Sequence, residues 1–127
     1  MFPKVLLVDD EADFLEIMAE RLELRDISVS TADSVLEALE RLESQDFDAV
    51  VMDFLMPDMD GISALKALKK AKPELHVFLL TGYATLEKRK EALASGADAL
   101  LDKPGNLNLL ARKIRKVSSQ TKGSQKK

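Results

Sequence analysis

The chain has 127 residues, which is the length of one domain with a core of its own and too short for two. Its 19 basic and 22 acidic side chains give a formal net charge of −3, which argues against a nucleic-acid-binding surface covering the whole fold. With no cysteine, no secretory signal and no apolar run near the ~20 residues that span a bilayer, we expect a cytoplasmic domain without disulfides or membrane contact.

Five short segments of the sequence predict β-strands. Four of them are continuous apolar runs, which suit strands that are buried on both faces of a parallel sheet. In chain order these runs are residues 5–8, 49–52, 77–80 and 99–101. A fifth segment, residues 27–31, alternates apolar with polar side chains and predicts a half-exposed edge strand.

Apolar side chains at helical spacing fill the segments between these strands. The stripes consist of Phe14, Ile17, Met18 and Leu22; Val35, Leu39 and Leu42; Ile62, Leu65 and Leu68; and Leu107, Leu110, Ile114 and Val117. Ser34 and Glu37 have capping-box spacing at the start of the second helix. The fourth helix, in residues 85–95, has little to bury, and Gly96 should end it. Five strand–helix repeats predict an α/β fold with a doubly wound parallel sheet and helices on both faces.

The C-terminal end of the chain differs in composition from the rest. Its last ten residues contain three lysines and no apolar anchor. We therefore expect the domain to occupy residues 1–118, and we interpret residues 119–127 as a flexible tail or the start of a linker.

Polar side chains follow the strand candidates at the points where ligands bind in sheets of this kind. They are Asp9, Asp10 and Glu11 after the first run, Asp53 after the third in chain order, Thr81 after the fourth, and Asp102 and Lys103 after the fifth. If the strands are parallel, their carboxyl ends share one edge of the sheet. We therefore expect these groups to converge.

Three carboxylates in one cleft repel each other unless a cation lies between them. Oxygen ligands, without cysteine and without a histidine at a strand end, favour a hard cation, and Mg²⁺ fits best. A metal ion, the Lys103 ammonium and the Thr81 hydroxyl around Asp53 would form a receptacle for a phosphoryl group, with the carboxylate as nucleophile. The expected product is an aspartyl phosphate.

Four motifs together resemble one protein family. They are VLLVDDE, VVMDFLMPDMDG, LLTGYA and LLDKP, and they occur in family order and spacing. From residue 4 to about residue 117 the chain resembles a response-regulator receiver domain of two-component signalling. The resemblance implies a flavodoxin-like strand order, 2-1-3-4-5, and a switch that is not itself an enzyme. It also implies that Asp53 accepts a phosphoryl group from a sensor histidine kinase or a phosphotransfer protein.

The resemblance also assigns roles around Asp53. Mg²⁺ is implied as the cofactor, held by Asp53, directly by Asp10, largely through water by Asp9, and by the backbone carbonyl of Leu55. Thr81 is expected to bond a phosphoryl oxygen, and Lys103 to pair with Asp53 or its phosphate. The family often has a cis bond before the proline at position 104.

The implied downstream partner would bind a face formed by the fourth helix, the fifth strand and the fifth helix. A homodimer on phosphorylation is compatible with the family, whereas the domain itself is not expected to bind nucleic acid. Two residues depart from the family pattern. Leu100 stands where an aromatic ring usually turns inward on activation, and Gly105 replaces an apolar residue.

Two other functions are open on the sequence. Asp58-Met59-Asp60-Gly61 faintly resembles the Asp-x-Asp-Gly of haloacid-dehalogenase-type phosphatases, which would make the chain a Mg²⁺-dependent phosphatase or phosphotransferase for small molecules. Against this, Pro57 precedes that motif and Asp53 holds the strand end. An interaction module that is never phosphorylated would be expected to lack acceptor or metal residues, and none is missing.

The expected aspartyl phosphate should be long-lived. Hydrolysis needs a water held in line with the Asp53 oxygen, and positions 55 and 83 are best placed to hold it. Leu55 has no hydrogen-bonding side chain, and Tyr83 is bulky and orients water poorly.

Overall fold

The computed structural model describes residues 2–82, 85–103 and 106–125. The expectations for Tyr83, Pro104 and Gly105 fall outside these ranges. Five strands form one sheet: β1 Lys4–Val8, β2 Ser28–Ala32, β3 Ala49–Asp53, β4 His76–Thr81 and β5 Ala99–Asp102. Five helices of the described residues alternate with them: α1 Ala12–Glu23, α2 Val35–Ser44, α3 Gly61–Ala71, α4 Leu86–Ala94 and α5 Leu107–Gln125.

The sheet is parallel throughout, with the spatial order β2-β1-β3-β4-β5. This confirms the predicted fold class and strand order. Strand β2 lies at an edge, and most of its side chains are exposed or half-buried, as its alternating pattern predicted. A short antiparallel hairpin, Leu55–Met56 with Met59–Asp60, separates β3 from α3.

Alternate side chains of the strands form two cores, one on each face of the sheet. Leu6, Val50 and Leu79 pack on one face with side chains of α2, α3 and α4. Their strand neighbours, including Leu7 and Val51, pack on the other face with side chains of α1 and α5. Because the central strands are apolar on both faces, their carboxyl ends are held rigidly between the two cores.

The helices begin as the sequence indicates, with one difference in detail. The Ser34 hydroxyl accepts a hydrogen bond from the Glu37 amide at 3.1 Å, as expected at an N-cap. The Glu37 carboxylate, however, accepts from the amide of Asp33 at 2.7 Å, one residue earlier than in a capping box. Helix α4 buries only Ala92 and ends before Gly96, whose φ of +111° suits glycine.

The turn after β3 requires a glycine at the start of α3. A Cβ atom on Gly61 would collide with the carbonyl oxygen and ring of Phe54, the residue that follows β3. Close approach of the α3 terminus to the end of β3 therefore depends on the absence of a side chain at Gly61.

Helix α5 continues to Gln125, past the expected domain end at residue 118. The assignment of residues 119–127 as a tail or linker stays a prediction.

Candidate functional site

The polar groups that end the strands come together at the carboxyl edge of the sheet. Asp9 follows β1 directly, Asp53 and Thr81 are the last residues of β3 and β4, and Lys103 follows β5. The register sets Asp53 beside Leu80, and the Lys103 amide donates to the Thr81 carbonyl at 2.7 Å. Each group is therefore fixed by a strand rather than by a free loop.

Three carboxylates form the acidic part of this site. One oxygen from each of Asp9, Asp10 and Asp53 lies within 4.8 Å of the other two. Asp9 and Asp53 are buried, at 1% and 8% exposure, whereas Asp10 is exposed. In the part of the chain that the structure describes, no hydrogen bond or ion pair involves the Asp10 carboxylate, so its oxygens are open to a ligand. The three carboxylates lie close together, offer only oxygen atoms and are partly accessible to solvent, which fits a hard divalent cation such as Mg²⁺.

Lys103 supplies the positive charge of the site. Its Nζ lies 2.8 Å from Asp9 Oδ2, 3.1 Å from Glu11 Oε1 and 3.3 Å from Asp53 Oδ2. Burial alone would lower the pKa of Lys103, but its hydrogen bonds to Asp9 and Glu11 and the charge of Asp53 raise that pKa above its usual range. The lysine is therefore a permanent cation at neutral pH.

The Asp53 carboxylate is held at both oxygens. The Leu55 amide donates to Oδ1 at 3.2 Å, and Lys103 approaches Oδ2. Burial raises the pKa of Asp53 above its ordinary value of 3.8, against the lowering effects of the Leu55 hydrogen bond and the Lys103 charge. The carboxylate is oriented and poorly solvated, which suits a nucleophile.

Two more residues border Asp53. Thr81 is fully buried at the neighbouring strand end. Leu55 is 63% exposed beside Asp53, so its side chain lies at the entrance of the site. The next residue towards β3, Phe54, is buried in the core. Leu100 is half-buried in β5 and packs against the core of the α2–α4 face.

Several acidic residues near the site do not join it. Asp102 is exposed and pairs with Arg89 at 2.8 Å, so only Lys103 of the two expected groups after β5 reaches the cluster. The Asp58 carboxylate accepts from the Val35 amide of α2 at 3.1 Å, and Asp60 is the N-cap of α3. Both carboxylates of the phosphatase-like motif thus bond to helix termini.

Phe14 contributes to the site through a contact that the sequence did not reveal. Its spacing predicts a core residue of α1, and the ring does pack partly against the core of the α1–α5 face. The ring also lies under the Lys103 ammonium, with Nζ 4.1 Å from its centroid. The two residues are far apart in the chain, and no local pattern signals their contact.

Comparison with known proteins identifies the family. A sequence profile described as the response regulator receiver domain matches residues 5–115. The chain belongs to this family. Response regulators of this family are phosphoacceptor switches that act between histidine kinases and downstream effectors. Within the described residues, no helix has both the length and the apolar character needed to cross a membrane.

Curated relatives of this receiver domain are longer proteins. The chain is 35% identical over 117 residues to the transcriptional regulatory protein ZraR of Escherichia coli K12, covering 92% of this chain and 26% of that one. It is 36% identical to a CpxR homolog of Haemophilus influenzae, covering 90% and 49%, respectively. The chain therefore spans a quarter to a half of the length of these relatives.

Solved receiver domains match along nearly their whole length. A CheY-like receiver domain protein from Methanospirillum hungatei JF-1 superposes with a TM-score of 0.88 and 31% identity, covering 98% of this chain and 99% of that one. The Francisella response regulator 1452 receiver domain gives a TM-score of 0.86 and 32% identity, with 94% and 98% covered.

Proposed function

We propose that this receiver domain is a phosphorylation switch that accepts a phosphoryl group on Asp53 from a sensor histidine kinase or a phosphotransfer protein. The observation that carries the proposal is the contact of Lys103 with Asp53 inside a cluster of three carboxylates. A lone buried carboxylate would be costly, whereas one that faces a fixed cation and an open entrance is ready to react.

Residues of the chain orient the transfer. An Asp53 oxygen would attack phosphorus as the bond from phosphorus to the donor nitrogen breaks, and the electron pair leaves with the donor imidazole. Lys103 would balance the charge on the phosphoryl oxygens, and the Thr81 hydroxyl would donate to one of them. Mg²⁺, held by Asp9, Asp10, Asp53 and the Leu55 carbonyl, would add its positive charge to the same oxygens.

We further propose that the switch acts in the cytoplasm through a downstream target. Several relatives are named as transcriptional regulators, which favours an output in gene regulation through a part of the protein outside this domain. The proposed contact surface is formed by α4, β5 and α5, where α4 leaves Leu86 and Leu93 exposed. On phosphorylation, two copies of the domain would be able to form a homodimer through the same surface.

The direct test is covalent labelling with a small acyl phosphate. Wild type incubated with the acyl phosphate and Mg²⁺ should gain the mass of one phosphoryl group, and should gain none when Mg²⁺ is chelated. Asp53→Ala should abolish the gain. Asp102→Ala is the matched control because its carboxylate lies at the same sheet edge but pairs with Arg89, and it should label like wild type.

Two outcomes would contradict the proposal. Persistent labelling of Asp53→Ala would move the acceptor to another residue. Steady release of free phosphate from small phosphate esters, with Asp53 intact, would favour the small-molecule phosphatase. The engagement of Asp58 and Asp60 at helix termini supports the switch over that alternative.

A further inference from the structure

The Lys103 side chain is held by an aromatic ring in addition to its carboxylate partners. Nζ lies 4.1 Å from the centroid of Phe14, a distance at which the negative face of a ring attracts an ammonium. The lysine side chain is only 16% exposed, so water screens this attraction weakly. The contact joins the first turn of α1 to the end of β5.

The ring can hold the Lys103 ammonium while its hydrogen bonds to the carboxylates change. A lysine ammonium has three N–H donors, and Lys103 directs them at Asp9, Glu11 and Asp53. When Asp53 is phosphorylated, one of its oxygens becomes the bridging oxygen of an acyl phosphate, and the ammonium must turn to the phosphoryl group. Of the three partners, Glu11 has a side chain that is 66% exposed and would draw the ammonium outwards.

We propose that Phe14 is a positioning residue that keeps the Lys103 ammonium inside the site while its hydrogen bonds change partners. The ring attracts the cation without using an N–H donor, so the attraction persists through the exchange. The inference rests on the proposed function and deepens it. It gives Phe14 a part in the rate of phosphorylation beyond its packing against the core.

The test compares ring and non-ring side chains at position 14. Labelling with a small acyl phosphate and Mg²⁺ is timed by intact mass, because a small donor excludes effects on docking to a protein donor. Phe14→Leu should label about five- to tenfold more slowly, the loss expected for one partly desolvated cation–π contact. Phe14→Tyr retains the ring and should stay within about twofold of wild type.

A matched control and a direct readout separate positioning from folding. Phe47→Leu removes a ring that lies 5.5 Å from Lys4 Nζ at the opposite edge of the sheet, and it should not change the labelling rate. Proton spectra of the unphosphorylated protein report the contact itself, because ring currents shift the Lys103 ε-methylene protons upfield. That shift should be present in wild type and Phe14→Tyr and absent in Phe14→Leu.

The outcomes distinguish this inference from the proposed function. Wild type that never labels would overturn the function, whereas Phe14→Leu that labels at the wild-type rate would overturn only the role of Phe14. Unchanged Lys103 proton shifts in Phe14→Leu would also overturn it. If Phe14→Leu fails to fold, phenylalanines with increasing fluorination keep the ring shape and weaken its negative face. The rate should then fall stepwise, and a constant rate refutes the inference.

Discussion

At the scale of single residues, the Asp53 carboxylate is costly to the fold and useful to the site. Its raised pKa means that the folded domain binds the proton more tightly than the unfolded chain does. Stability from the protonated form is therefore fully present below pH 3.8, and it is lost as the pH rises through the folded pKa. At neutral pH the charge of Asp53 destabilises the metal-free domain.

We therefore expect Asp53→Asn to melt at a higher temperature than wild type at pH 7 in a chelating buffer. A rise of ~3–5 °C would be ordinary for one removed unfavourable charge in a domain of this size. Thermal unfolding near pH 3 is the internal control, since both side chains are then neutral and the gain should shrink. Asp102→Asn, at an exposed position, should show neither effect. A lower melting temperature for Asp53→Asn at pH 7 would contradict the argument.

The Leu55 side chain should set the lifetime of the phosphorylated state. It is exposed at the entrance and offers no group that could hold a hydrolytic water near Asp53. Leu55→Asn should speed phosphate loss by about tenfold, below the ~10²–10⁴-fold of a well-placed general base. Phosphate loss is followed by mass after removal of the acyl phosphate.

Two further comparisons sharpen the lifetime test. Leu24→Asn replaces a leucine that is also exposed, at the far end of α1, and should leave the lifetime unchanged. Tyr83→Glu and the double variant extend the test to the second position, which lies outside the described residues. If no variant loses phosphate faster than wild type, these positions do not control hydrolysis.

At the scale of secondary-structure elements, two helix starts distinguish an aspartate that is open to a metal ion from one that caps a helix. The N-cap of α1 is Glu11, which makes no side-chain capping bond, and Asp10 is free of described partners. Asp60 caps α3 and accepts from both the amide and hydroxyl of Ser63, and these bonds lower the pKa of Asp60. One aspartate is thus available to a cation, whereas the other stabilises a helix.

We expect Asp10→Ala to weaken Mg²⁺ binding strongly and to melt no lower than wild type without metal. The variant removes a proposed Mg²⁺ ligand and one of three mutually repelling charges. Asp60→Ala is the matched comparison and should behave in the opposite way, melting a few degrees lower with nearly unchanged Mg²⁺ affinity. Calorimetric titration with Mg²⁺ and thermal unfolding measure the two effects. A large drop in melting temperature for metal-free Asp10→Ala would assign it a structural role.

Sequence patterns predict the secondary-structure elements more readily than the side-chain contacts between them. The four continuous apolar runs identify β1, β3, β4 and β5, because such a run is a local signature of a strand in a parallel sheet, and the alternating segment identifies β2 to within one residue. Parallel pairing then accounts for the meeting of Asp9, Asp53 and Lys103. The bond from the Val35 amide to Asp58 and the ring of Phe14 under Lys103 depend on long-range side-chain geometry, which periodicity does not encode.

At the scale of the whole molecule, the site lies at the carboxyl edge of the sheet, where elements of both faces border it. The α1–α5 face reaches it through Phe14, whereas the opposite face reaches it through the hairpin after β3. The attachment of α4 is the weakest of the five helices, because Ala92 is its one buried side chain among the described residues. A small change at Thr81 and Lys103 should therefore be relayed most easily to α4 and β5.

We accordingly predict that phosphorylation changes the surface formed by α4, β5 and α5. Strand β5 is tied to β4 by the hydrogen bond from the Lys103 amide to the Thr81 carbonyl, so movement of either side chain reaches β5 directly. Leu100 is smaller than the aromatic ring usual at this position and half-buried, so the relay must use the shift of β5 and α4 rather than rotation of a ring.

Backbone amide spectra recorded before and after phosphorylation with an acyl phosphate measure the response. Spectra of Asp53→Ala under the same conditions identify the shifts that the donor and the metal cause without phosphorylation. The largest shifts remote from the site should fall in α4, β5 and α5. Shifts that cluster instead along α1 would assign the output to the opposite face.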